Sequence, residues 1–185
     1  GSGGLTGYWR NNGLSTWTDL KDSNDGTPTN FAETLLLPAG VDATRDNQGF
    51  LMNRQKDTSE LNTNEESYTS VAINNTFGTA DFSYGFWFKL EDTENGFLVG
   101  VQSLGNSTGV GLTIDAGNGK IRARPFGVTQ TYTSAAYDDG DWHYAFHNID
   151  RSANAILYID GATAVLTQDI SGVTGNVLST NSWNI

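Results

Sequence analysis

The chain has 185 residues and no cysteine, and 21 acidic against 10 basic side chains leave it at −11. That length suits one domain with a sizeable core. The acidity excludes a general nucleic-acid binder, which needs a basic surface to neutralise phosphates, and disfavours docking on anionic lipid. No apolar run is long enough for a membrane helix, and no signal-peptide pattern opens the chain, so membrane insertion is not expected.

In chain order, Gly1-Ser2-Gly3-Gly4 has the composition of a linker or tag, and residues 5–185 are expected to form a single domain. Early strand candidates are residues 5–10, 34–37 and 68–73, separated by a polar stretch at 41–67 that suits a crossover between sheets. Residues 81–90 alternate strictly, with Phe82, Tyr84, Phe86, Phe88 and Leu90 on one side and Ser83, Gly85, Trp87 and Lys89 on the other. A helix would scatter those aromatics, so this is a strand. Further strands are predicted at 97–102, 110–115, 120–124, 129–135, 142–150, 155–160 and 162–170. Ala116-Gly117-Asn118-Gly119 has the chemistry of a tight hairpin turn.

Roughly ten short strands at regular spacing, with no convincing helical period, predict an all-β, two-sheet antiparallel sandwich. Phe86, Phe88, Trp142, Phe146, Leu157 and Ile159 are the predicted core, because they alternate in the strongest strands. The final Trp183-Asn184-Ile185 has strand character, and the parent chain is expected to continue beyond it.

Several motifs carry a family resemblance. Gly140-Asp141-Trp142-His143-Tyr144-Ala145 is followed by Leu157-Tyr158-Ile159-Asp160-Gly161, and upstream stands Ala80-Asp81-Phe82-Ser83-Tyr84-Gly85-Phe86-Trp87-Phe88-Lys89. With Gly7-Tyr8-Trp9 and the loop Asp22-Ser23-Asn24-Asp25-Gly26-Thr27, they resemble the concanavalin A-like lectin/glucanase superfamily, in particular its laminin-G-like and pentraxin-like jelly rolls. Residues 33–40 and 45–54 further resemble laminin-G-like domains in structural proteins of tailed phages. The resemblance implies a jelly-roll sandwich whose residues 5–10 share a sheet with residues 182–185, with Trp9 in the core.

The superfamily includes glucanases, so catalysis needs a test. A retaining glycosidase requires two carboxylates about 5–5.5 Å apart. The closest run, Glu91-Asp92-Thr93-Glu94, aims Glu91 and Asp92 to opposite faces and leads into the turn Asn95-Gly96. Both histidines, His143 and His147, fall mid-strand, roughly 13 Å apart by strand rise, too far to share a metal. No Gly-x-Ser-x-Gly elbow occurs. No catalytic residue is assigned, and the chain is not expected to be an enzyme.

Calcium is the ligand the resemblance implies, with acidic turns at 22–25, 42–46 and 138–141 as its candidates. None has the ordered spacing of an EF-hand loop, so no cofactor and no metal ligand are assigned. Lys120, Arg122 and Arg124 stand two apart, which puts all three on one strand face. They are the candidate ligand-binding residues, for an anionic glycan or acidic partner, unless neighbouring carboxylates neutralise them. The expected function is a non-catalytic structural or binding module of a virion, part of a phage capsid, tail or fibre. Its expected partners are other virion proteins, the rest of its own polypeptide and host-surface glycans, with no nucleic acid. A secreted carbohydrate-binding module is the alternative, and a glycoside hydrolase the third.

Overall fold

The computed structural model describes residues 7–9, 16–21, 23–29, 68–71, 77–90, 96–101, 109–115, 117–176 and 183–184. Among the described residues, eleven strands run in order: β1 (Gly26–Thr29), β2 (Tyr68–Val71), β3 (Phe82–Lys89), β4 (Gly96–Val101), β5 (Val110–Asp115), β6 (Lys120–Ala123), β7 (Thr131–Ala136), β8 (Trp142–Ile149), β9 (Asn154–Ile159), β10 (Leu166–Asp169) and β11 (Trp183–Asn184). They form a seven-stranded sheet, β1-β2-β11-β4-β5-β6-β7, and a four-stranded sheet, β10-β9-β8-β3. Every strand pairing is antiparallel. The chain is thus a two-sheet antiparallel β-sandwich, as the alternation predicts.

Val110, Leu112, Ile114, Ile121 and Ala123 of the larger sheet face Phe88, Ala145, Ile149, Ala155, Leu157 and Ile159 of the smaller one, all buried. Trp183 ties the sheets together: its ring meets Tyr84 at 5.0 Å and both Phe77 and Phe82 at 6.3 Å between centroids. Arg151, buried after β8, rivets one end. Its guanidinium donates to the Gly78, Val173 and Gly175 carbonyls and lies 4.1 Å from the Phe126 ring centroid. Gln168 spans the layers from β10, donating to the carbonyls of Ala123 and Thr129.

Three expectations need correction. Trp142 and Phe146 are not core residues; they are 47% and 37% exposed, while Phe88, Leu157 and Ile159 are buried and Phe86 is half-buried. The cause is register. Directly opposed residues in an antiparallel pair point to the same face. Phe86 and Phe88 stand opposite Ala145 and His143, so the small Ala145 turns inward beneath bulky Phe86, and Trp142, Tyr144 and Phe146 turn outward with Lys89, Trp87 and Gly85. Next, Trp9 does not pair with the terminal strand. β2 and β4 occupy both flanks of β11, and Trp9 instead bridges Asp19 and donates its indole N–H to the Asn24 carbonyl at 2.7 Å. The buried aromatic of that region is Trp17. Finally, Gly26 and Thr27, placed in a loop at 22–27 by the resemblance, open strand β1, held by pairing to β2. The predicted strand at 34–37, the stretch 41–67 and the run 91–95 lie outside the described residues.

Candidate functional site

The outward parity of β3 and β8 builds an aromatic face on the smaller sheet. Trp87 is 65% exposed, Tyr144 37%, and the two rings meet at 5.3 Å. Phe146 stands opposite Tyr158 of β9, ring centroids 6.3 Å apart. Trp142 extends the row opposite Lys89. Gly85 sits where a side chain would break the row: a Cβ there would collide with the Tyr144 hydroxyl, so the phenol lies across the bare backbone. Polar groups rim the aromatics: Ser83 and Asn148 are opposed, and Asn148 continues through Ile156 to Thr167. Four large aromatics exposed side by side form an apolar patch of the kind that marks a binding surface.

Beneath this face, on the opposite side of β8, lies His143. Its Nδ1 is 2.7 Å from Asp160 Oδ2 and its Nε2 3.0 Å from Asp139 Oδ1. Its ring packs against Phe88 and Tyr137, with centroids at 5.5 and 5.2 Å. Burial pulls its pKa down, but the hydrogen bonds to Asp160 and Asp139 outweigh that and hold it above the ordinary histidine value. Burial also resists ionisation of Asp160, yet His143 and the Tyr144 backbone N–H, 2.8 Å away, keep its pKa below the usual carboxylate range. Asp139 is lowered too, first by the Asp141 backbone N–H and then by His143.

His147 differs completely. It is 1% exposed, its Nδ1 is 2.6 Å from the Tyr84 hydroxyl, and burial drives its pKa down to about 3. It is a neutral core residue. Burial raises the Tyr84 phenol as well.

The charged stripe lies on the other sheet. Ile121 and Ala123 are buried, so Lys120 and Arg122 point outward from β6, both half-buried. Arg124 follows just past the strand, before the tight 3-10 turn Pro125–Gly127. Arg122 Nε donates to Thr113 Oγ1 at 2.8 Å, and Arg124 Nε to the Val128 carbonyl at 3.2 Å. Asp115 is the cross-strand neighbour of Lys120. The three predicted residues are therefore near one another, on the opposite layer from the aromatic face, two of whose residues, Trp142 and Phe146, sequence reasoning assigned to the core. The register that turns Phe146 and Trp142 outward opposite Gly85 and Lys89 has no signal in β8 alone.

Among the described residues, no group of three histidine, cysteine, aspartate or glutamate side chains could hold a metal. Of the three acidic turns, Asp22 and residues 42–46 lie outside the described residues. At 138–141, Asp139 is engaged by His143, and Gly140 N–H binds the Leu90 carbonyl at 3.0 Å.

No family model matches the sequence, and no curated protein does. Solved structures do. The binding domain of Paraclostridial mosquitocidal protein 1 aligns over 97% of this chain with a TM-score of 0.60 and 16% identity. The binding domain of botulinum neurotoxin DC, solved in complex with rat synaptotagmin II, aligns over 95% with a TM-score of 0.57 and 12% identity. The same toxin domain in complex with SialylT aligns over 96%, again at 0.57 and 12%. The chain spans less than half the length of these structures, 43% of the first and 42% of the others. At such identities the likeness is one of fold.

Proposed function

We propose that this chain is a non-catalytic binding module that docks on surface glycans through the outer face of its smaller sheet. The observation that carries it is the row Trp87, Tyr144, Trp142 and Phe146, exposed side by side with polar groups at its rim. Aromatic faces stack on the apolar faces of sugar rings, while rim hydroxyls and amides meet sugar hydroxyls. The shared fold with toxin binding domains, one of them solved in complex with SialylT, supports this. So does the acidic surface, which leaves an apolar rather than an electrostatic route to a neutral ligand. The sequence resemblance favours a tailed-phage particle as the assembly carrying the module, with host-surface glycan as its target. A secreted carbohydrate-binding module would use the same face.

A glycan array probed with the wild-type chain and with a Trp87→Ala, Trp142→Ala variant tests the assignment. Array signals in the wild type, lost at least tenfold in the folded variant, are expected. Signals unaffected by the double substitution would move binding off this face, and hydrolysis of a β-glucan panel would overturn the non-catalytic reading. Copurification with phage particles separates the virion assignment from the secreted one. For Lys120, Arg122 and Arg124, engagement of two of the three side chains by Thr113 and Val128 favours a sheet-surface role.

A further inference from the structure

We propose that the Asp139–His143–Asp160 bridge is a positioning element of the aromatic face, holding Trp142 in place only while His143 is an imidazolium. This inference rests on the aromatic face being the binding surface. The geometry sets the charge state. Both ring nitrogens of His143 lie within hydrogen-bond distance of carboxylate oxygens, at 2.7 and 3.0 Å. A carboxylate only accepts, and a neutral imidazole has a single N–H. Both contacts are therefore satisfied together only by the doubly protonated ring.

Trp142 and Tyr144 flank His143 in β8 and point the other way. The Tyr144 N–H binds Asp160 Oδ1, and the Tyr144 carbonyl accepts from the Asp160 N–H at 2.9 Å. On the Trp142 side, the turn is fastened at Asp139, which accepts from His143 and from the Asp141 N–H at 3.0 Å. Asp160 sits at φ 54 and Gly161 at φ 70, the tight turn that an Asp-Gly pair favours, which fixes the carboxylate beside β8. Among the described residues, the rings packed against His143 are Phe88 from β3, which does not titrate, and Tyr137. Burial and then Asp160 raise the Tyr137 phenol, so it stays neutral through the range concerned.

When His143 loses its proton, one carboxylate faces a lone pair. Asp139 yields, being on the exposed turn at the longer of the two contacts, whereas Asp160 keeps the Tyr144 N–H. The turn before β8 then loosens and Trp142 with it. Ligand affinity is accordingly highest below the His143 pKa, which lies above the ordinary histidine value, and falls as pH rises through it.

The test reads the free protein. In the 15N-labelled chain, the His143 ring and the Trp142 indole N–H are followed by NMR from about pH 5 to 9, in the wild type and in Asp139→Asn, which keeps an acceptor but removes a charge. We expect one shared midpoint above about 6.5 for both signals in the wild type. In Asp139→Asn the His143 midpoint falls, and the Trp142 response becomes several-fold smaller. A His143 midpoint at or below 6.5, or a Trp142 signal indifferent to His143 titration, overturns the proposal. Because no glycan is added, failure of the array would sink the binding reading and leave this result standing.

Discussion

Leu157, opposite His147, and Phe146, opposite Tyr158, lie one register step apart in β9 and β8 and point to opposite sides of the smaller sheet, and truncating each to alanine measures that difference. Leu157 is fully buried in the middle of β9. Removing its side chain leaves a cavity that close-packed neighbours fill only partly, so Leu157→Ala should cost about 2–5 kcal/mol. Phe146 is 37% exposed, so a little under two-thirds of it is covered. Fully burying such a ring is worth about 1.5–3 kcal/mol, and no closed cavity forms at a surface, so Phe146→Ala should cost about 1–2 kcal/mol. Urea denaturation of both variants, followed by near-ultraviolet circular dichroism with equal m-values, gives the comparison. Phe146→Ala should keep the fold while weakening glycan binding; Leu157→Ala should lower stability while leaving the affinity of the molecules that remain folded unchanged. Equal destabilisation by the two would mean that Phe146 is covered and that the outer face is not a surface.

Tyr84→Phe should cost about 1–3 kcal/mol, because it strands a buried nitrogen of His147; a thermal midpoint unchanged by that substitution would refute the pairing. The His147 pKa is depressed to about 3 from an ordinary value of about 6.5, so the unfolded chain takes up the proton first. Its contribution to stability is complete above about pH 6.5 and is lost as pH falls towards 3; urea midpoints should drop across that window and do so less in His147→Gln. The His143 bridge runs the other way on its alkaline side, present in full below about 6.5 and lost above the raised pKa. A Lys120→Ala, Arg122→Ala, Arg124→Ala variant should bind anionic glycans and enter particles as the wild type does; a folded variant that lost either would make the stripe a contact site.

Alternation made the strands legible and left their faces open. In β3 the outward set contains Ser83, Gly85 and Lys89, so polarity alone fixes its orientation. In β8 both sets are apolar or aromatic, and residue size pointed the wrong way: Trp142, Tyr144 and Phe146 are larger than Ala145, yet Ala145 is the residue that fits between Phe86 and Ile159. That choice follows from a cross-strand register that no single strand reveals. Strand β1 escaped because Gly26-Thr27-Pro28-Thr29 has turn chemistry, and only its partner β2 makes it a strand. The bridge at His143 was hidden for a similar reason. Asp139 and Asp160 lie in separate turns, and the β8–β9 pairing is what brings Asp160 back beside residue 143.

The position of β11 bears on how the molecule is made. Its two residues slot between β2 and β4, so the seven-stranded sheet has a gap in its middle until Trp183 is available. β2 waits for a partner more than a hundred residues away in sequence, and the loop that must close is correspondingly long. Such non-local pairing makes folding slow, and on the ribosome the sheet can close only once residue 183 has emerged. On the ribosome, the four-stranded sheet can assemble first, since β8, β9 and β10 are sequential hairpin partners. Tyr84 and Phe82 meanwhile present an aromatic socket into which Trp183 packs. A nascent chain halted before residue 183 would hold that socket open to chaperones, and to the same strand of another copy.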